Sequence, residues 1–172
     1  MDRIREAIRD VPDFPKPGII FKDITPLLAS PEAFGDVIDI LEQRYTGKGI
    51  SKIVAIESRG FLFGAALADR LKIGMVPVRK PGKLPYRKIR HEYKLEYGSD
   101  AVEIHEDAVL RGEKVVIIDD LLATGGTAAA AISLVQELGG VVMEAAFVIE
   151  LAFLNGRAKL SPVQVFSVLE YD

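Results

Sequence analysis

The chain has no cysteine among its 172 residues, which excludes disulfides, a thiolate nucleophile and any sulfur-ligated metal. Histidine is almost as scarce, and His91 and His105 are too few for an ordinary zinc site. No apolar run approaches the roughly 20 residues that a spanning helix requires, although 49% of residues are hydrophobic and the mean hydropathy is +0.19. The opening MDRIREAIRD is charged and amphipathic without an apolar h-region, so it does not read as a secretory signal. Positive charge is not in surplus either: a net charge of −3 argues against a nucleic-acid-binding surface as the main business. Two nucleotide fingerprints are also missing. No Gly-Lys-Ser/Thr closes a turn as in a P-loop, and no GxGxxG follows a strand as in a dinucleotide fold. These exclusions leave a cytoplasmic, membrane-free α/β chain whose length fits a single domain over 1–172.

What is present centres on Lys114 to Thr127, KVVIIDDLLATGGT. Val115 to Ile118 is a β-branched apolar run, the composition of a strand buried on both faces of a parallel sheet. Asp119 and Asp120 follow at its carboxyl end, where open α/β sheets place their ligands. Ala123, Thr124, Gly125, Gly126 and Thr127 then form a small turn, and Ala128 to Leu138 has the composition and apolar spacing of a helix. Inward backbone N–H groups, two threonine hydroxyls and the positive end of a helix suit a phosphate monoester. Two carboxylates would repel that phosphate, so they face something else: vicinal sugar hydroxyls or a hydrated Mg²⁺. A sugar phosphate satisfies both halves, whereas a bare Asp-Asp before a glycine pair reads equally well as a solvated strand-to-helix connection.

Elsewhere the pattern is α/β throughout. Ile4 to Arg9 reads as a short helix, and Pro12, Pro15 and Pro17 force an extended path to Gly18. Ile19, Ile20 and Phe21 then lie in an irregular segment, where Phe21 is either a core plug or a stacking platform for a flat ligand. Asp23 and Thr25-Pro26 mark a helix start, and Pro31 to Arg44 is amphipathic, with Phe34, Val37, Ile38 and Leu41 on one side. Lys52 to Ile56 is a second buried strand leading through Glu57-Ser58-Arg59-Gly60 to a helix over Phe61 to Leu71. Arg59 there is either a solvated loop cation or a bidentate anion clamp. Gly74 to Arg79 is a third strand, followed by the basic, Pro-rich stretch Lys80 to Lys88. Glu92 to Tyr97 and Ala101 to His105 alternate around Gly98-Ser99-Asp100 as a hairpin. With the basic loop this makes a candidate mobile lid over 80–106. Val141 to Ile149 is a fifth strand, Asn155 to Leu160 a connection or short helix, and Pro162 to Leu169 a terminal edge strand.

Four segments together, DFPKPGIIFKDITPLL, IESRGFLFG, VRKPGKLPY with LEYGSDAVEIHEDA, and VVIIDDLLATGGT, are similar to the adenine branch of the type I phosphoribosyltransferase family. The last segment marks the superfamily and the first three its adenine branch; the match runs nearly end to end. The resemblance implies a mostly parallel twisted sheet flanked by helices, a flexible hairpin lid, and a small base-binding hood over 1–30. It implies transfer of the phosphoribosyl group of 5-phosphoribosyl 1-pyrophosphate (PRPP) to adenine, giving AMP and pyrophosphate. Carried across, it puts the 5′-phosphate on Ala123 to Thr127, the ribose hydroxyls on Asp119 and Asp120, and the pyrophosphate near Arg59, Arg79, Lys80 and Lys83. Adenine would lie between Phe21 and Leu121, its edge read around Ile20 and Lys22. Glu96 corresponds to the family's acid/base with Tyr97 beside it, and Arg59 is counted with the catalytic groups. Mg²⁺ would be bound mainly through PRPP, with no direct protein ligand assured. A homodimer is implied, with Arg79 reaching the other subunit's site. A phosphoribosyltransferase for another base is opposed by the Phe21 segment and the LEYG hairpin. A PRPP- or purine-sensing regulator that binds nucleic acid is opposed by the acidic charge.

Overall fold

The structure, a computed structural model, describes residues 1–94 and 98–172. The chain forms two compact units, Met1–Arg44 and Tyr45–Asp172. In the first, α1 (Asp2–Glu6) precedes an antiparallel pair, β1 (Arg9–Pro12) and β2 (Ile20–Asp23), in register from Arg9 opposite Asp23 to Pro12 opposite Ile20. The proline-rich stretch is therefore the loop of a hairpin, and Ile20 and Phe21 belong to a strand rather than to irregular chain. The reason this pairing is hidden in the sequence is that prolines and charged residues break the alternation on which strands are recognised. Asp23 ends β2 and starts α2 (Thr25–Ala29), accepting hydrogen bonds from the Thr25 N–H at 2.9 Å and the Thr25 hydroxyl at 2.8 Å. Ser30 Oγ accepts the Ala33 N–H at the start of α3 (Pro31–Tyr45), which buries Ala33, Val37, Ile38 and Leu41 at helical spacing.

The second unit is built on a five-stranded sheet, all parallel. Its strands are β3 (Lys52–Ile56), β4 (Gly74–Val78), β7 (Lys114–Leu122), β8 (Val141–Leu151) and β9 (Val165–Tyr171), in the spatial order β4-β3-β7-β8-β9. The organising strand thus lies at the centre, and β9 takes the edge that its sequence predicted. Helix α4 (Gly60–Leu71) packs on β3, β4 and β7, and α5 (Gly126–Glu137) packs on β7 and β8. The alternation of β7 sorts its side chains between these helices. Ile117 joins a cluster with Ala131, Leu134 and Val135 of α5, whereas Ile118 lies against Gly64 of α4. Phe63 and Phe147 are fully buried, each such side chain contributing on the order of 1.5–3 kcal/mol from burial.

A separate antiparallel pair, β5 (Lys88–Lys94) and β6 (Ser99–His105), packs on α5. β5 begins at Lys88, inside the stretch that reads as a loop, because Ile89, His91 and Tyr93 turn inward while the intervening charges stay exposed. β6 is joined to the sheet side by a bridge between Arg79 and Glu103. Among the described residues no helix is long and apolar enough to cross a membrane.

Beyond β8 a 3-10 turn (Ala152–Leu154) and α6 (Arg157–Leu160) return the chain to β9. Arg157 grips the buried Glu150 through Nε and Nη2, each at 2.6 Å, and also donates to the Val165 carbonyl. Burial works to raise the Glu150 carboxyl, but Arg157 and the Ser167 hydroxyl outweigh it and hold it below the ordinary range. Arg157→Met keeps the aliphatic stem and strands that carboxylate. It is expected to lower unfolding free energy by about 2 kcal/mol, less than for a fully buried pair because the guanidinium meets solvent. Urea denaturation measures this, and an unchanged midpoint would remove the network from the stabilising contacts.

Candidate active site

The site begins where β7 runs into α5. The strand does not stop at Ile118; it carries through Asp119, Asp120, Leu121 and Leu122, so both acids sit inside the ladder, with Asp119 opposite Phe147 of β8. Ala123 to Gly125 then turn the chain into α5, with Gly125 in the left-handed region at φ +80°. A Cβ at Gly125 would stand 2.5 Å from the Gly156 carbonyl oxygen, and one at Gly156 would run into the Ala123 carbonyl. The turn is therefore seated backbone against backbone on the start of α6, which only two glycines permit. The N–H groups of the first turn of α5 have no intrahelical acceptor. With Asp119, Leu121 and Leu122, residues Ala123 to Ala128 line one open pocket. Its wall combines amide donors, the Thr124 and Thr127 hydroxyls and a helix start, the elements of an anion site.

The two acids take different partners. Asp120, 5% exposed, is paired with Arg59 at 2.7 Å between Oδ2 and Nε. Asp119 lines the pocket and accepts the Asp120 N–H on Oδ1 at 2.8 Å. Burial, then the neighbouring Asp120 charge, pushes the Asp119 carboxyl well above the usual carboxylate range, with Arg59 opposing. Gly60, the first residue of α4, lies so close to this pair that a Cβ there would be 2.9 Å from Asp119 Oδ1. The loop Glu57-Ser58-Arg59-Gly60 is thus pressed onto the end of β7, and the sequence-predicted Arg59, Asp119 and Asp120 converge.

The remaining predicted cations lie along the same side, each engaged differently. Arg79 donates from Nε and Nη2 to Glu57 at 3.2 and 3.3 Å, and its guanidinium stands 6.0 Å over the Phe61 ring. Burial works to raise the Glu57 carboxyl, but the Lys80 N–H and Arg79 outweigh it and hold it low. The Lys80 ammonium bonds Asp100 and, at 3.0 Å, the Tyr93 hydroxyl. Lys83 is exposed. Tyr93, Asp100, Glu57 and Gly156 are the residues that sequence reasoning missed. Gly156 carried a weak signal in Asn155-Gly156, but no short-range pattern ties it to Ala123. Glu96 and Tyr97 lie outside the described residues. In the N-terminal unit Phe21 is half-buried against Phe14, edge to face at 5.2 Å, Lys22 pairs with Asp10 at 2.6 Å, and Ile20 is exposed. Phe21 is therefore not a core plug.

A parallel sheet with an acid-tipped central strand, a glycine turn at a helix start and a basic loop beside it defines a phosphoribosyl transferase domain, whose family model matches residues 23–168. Over 171 residues the chain is 54% identical to the adenine phosphoribosyltransferase of Geobacter metallireducens, covering 99% of this chain and 100% of that one. Among solved structures, the adenine phosphoribosyltransferase of Thermoanaerobacter pseudethanolicus superposes with a TM-score of 0.95 at 54% identity, covering 99% of each chain. The Saccharomyces cerevisiae enzyme, complexed with an imino-altritol bisphosphate and adenine, superposes with a TM-score of 0.93 at 45% identity over 98% of this chain and 97% of that one. The chain belongs to the adenine phosphoribosyltransferase family.

The raised Asp119 carboxyl has a consequence for stability. A folded-state value above the unfolded one, near 4, means that stability is lost as pH rises from there through the folded value. Asp119→Asn keeps an oxygen for the Asp120 N–H and removes the titration. Its melting temperature is expected to match the wild type near pH 4 and to exceed it increasingly as pH rises. Thermal scans across pH check this; a constant offset would place the cause elsewhere.

Proposed function

We propose that this chain transfers the 5-phosphoribosyl group of PRPP to adenine, releasing AMP and pyrophosphate, as a purine-salvage enzyme of the cytoplasm. The single observation that carries the reading is the shared pocket of Asp119 and the Ala123 to Thr127 turn, with Arg59 held beside it by Asp120. A phosphate on the turn and ribose hydroxyls on Asp119 and Asp120 satisfy the amides and the acids together. Arg59, Arg79, Lys80 and Lys83 are then the groups that receive the pyrophosphate. Base contacts are assigned to Ile20, Phe21, Lys22 and Leu121 on the family resemblance, as are the homodimer and the reach of Arg79 to the other subunit.

The reaction breaks the anomeric C–O bond while N9 of adenine forms a new bond to the same carbon. Positive charge builds on the ribose and negative charge on the departing pyrophosphate. Carboxylates near the ring favour the first, and the arginines and lysines favour the second. No three acidic or histidine side chains converge as a metal site among the described residues, and Asp120 is committed to Arg59. Mg²⁺ would enter mainly with PRPP, with no direct protein ligand assured, and would supply charge neutralisation to the leaving group. Glu96 is assigned the proton that adenine sheds from N9, and Tyr97 is counted with it, both on the family resemblance. A backbone carbonyl accepting from the 6-amino group would oppose the carbonyl of hypoxanthine or guanine, and such a mismatch discriminates by about 10⁴-fold.

Product formation from PRPP with adenine, hypoxanthine, guanine and xanthine, with and without Mg²⁺, tests the reading. AMP is expected from adenine alone and only with the metal, and a protein that leaves PRPP and adenine unconsumed ends it. Glu96→Gln is expected to bind PRPP nearly normally while kcat falls by about 10²-fold or more. Wild-type turnover in that variant would take the acid/base role away from Glu96.

A further inference from the structure

Tyr93 has no part in the reaction just described, yet it packs on the turn assigned to the phosphate. The ring lies on the phosphate turn: a Cβ at Gly126 would be 3.2 Å from Tyr93 Cδ2. The hydroxyl meets three polar side chains. It accepts from Thr127 Oγ1 at 3.0 Å and from Lys80 Nζ at 3.0 Å, and it donates to Asp100 Oδ2 at 3.1 Å. Lys80 also bonds Asp100 directly. A phenol has one proton and two lone pairs, so this is its full capacity. The chain Lys80–Asp100–Tyr93–Thr127 joins the basic loop and hairpin to the hydroxyl that ends the phosphate turn.

We propose that Tyr93 is a positioning residue which, anchored by Lys80 and Asp100, orients the Thr127 hydroxyl toward the 5′-phosphate. The inference rests on the phosphate assignment made above. Thr127 has one hydroxyl proton and gives it to Tyr93 here. An ionised phosphate is a stronger acceptor than a neutral phenol, so the Thr127 hydroxyl redirects its hydrogen bond from Tyr93 to the bound phosphate. Tyr93 then turns its own proton from Asp100 to Thr127 Oγ1, while Lys80 keeps Asp100 satisfied. Threonine becomes a donor to phosphate that is itself receiving a hydrogen bond, and such chains strengthen each link. Phenylalanine at this position would keep the ring on Gly126 and delete only the relay.

The test is a double-mutant cycle on the full chain, reading AMP affinity by titration calorimetry. Tyr93→Phe is expected to weaken AMP about fivefold, to raise KM for PRPP by a similar factor and to leave kcat within about twofold. In a Thr127→Val background Tyr93→Phe is expected to cost nothing further. Asp100→Asn, which keeps the tyrosine and loosens Lys80, is expected to weaken AMP about twofold and to lose that effect in the same background. Equal losses with and without the Thr127 hydroxyl, or an unchanged affinity in Tyr93→Phe, overturn the proposal. Should Tyr93→Phe fail to fold, the Asp100→Asn cycle decides by the same criterion. A wild-type protein that binds AMP and forms it from PRPP while the cycle is additive sinks only this inference. A wild type that does neither sinks the phosphate assignment as well.

Discussion

A carboxylate buried at the end of a parallel strand must gain a partner or give up its charge, and the rest of this site follows from that constraint. β7 carries two acids toward its carboxyl end, Asp120 buried and Asp119 half-buried. Asp120 takes the first solution by pairing with Arg59, and in doing so draws the Ser58–Gly60 loop onto the strand. Gly60 is what allows the approach, since any side chain there would collide with Asp119 and the Ile118 carbonyl. Asp119 is raised instead, by burial and then by the Asp120 charge, and it faces the pocket. One acid thus fixes a cation beside the site, and its neighbour is kept ready to hydrogen-bond a ligand.

The Ala123–Thr127 turn is secured by an equally specific contact. Gly125 and Gly156 bring two backbones within van der Waals range, so the turn is braced from behind by the segment that starts α6. Arg157, the next residue, is clamped to Glu150 at the end of β8. The path from the central sheet to the back of the turn is therefore β8, Glu150, Arg157, Gly156, Gly125. Rigid support of this kind matters because amides stabilise an anion only when held in place before it arrives.

Strand runs of β-branched residues were legible because burial on both faces demands them, and Lys52–Ile56 and the body of β7 match their predicted bounds. The turn, Arg59 and the acid pair were each open to a solvated reading taken singly, and the continuous VVIIDDLLATGGT run was what marked them out. The continuation of β7 through Asp119 to Leu122 was not, since charged residues normally end a buried strand and only the Arg59 pairing lets them stay. The β1–β2 hairpin was masked by prolines. Glu57, Tyr93, Asp100 and Gly156 escaped for a common reason: each matters through a contact with residues 22, 34, 20 and 33 positions away, and local periodicity carries no such information.

Those long-range contacts also resolve a difficulty of charge. A site for a polyanion on an acidic chain needs cations, but cations gathered without counter-charges repel one another. Here Arg59 is held by Asp120, Arg79 by Glu57 and Lys80 by Asp100. Lys80 is raised although burial works against it, because Asp100 and Tyr93 outweigh that penalty, and the Lys80 hydrogen bond in turn lowers Asp100. Each pair sets a threshold, since a lone anion must compete with a carboxylate already in place. Any anion that reaches these cations must displace a carboxylate, so the acids as much as the bases set which anions can bind.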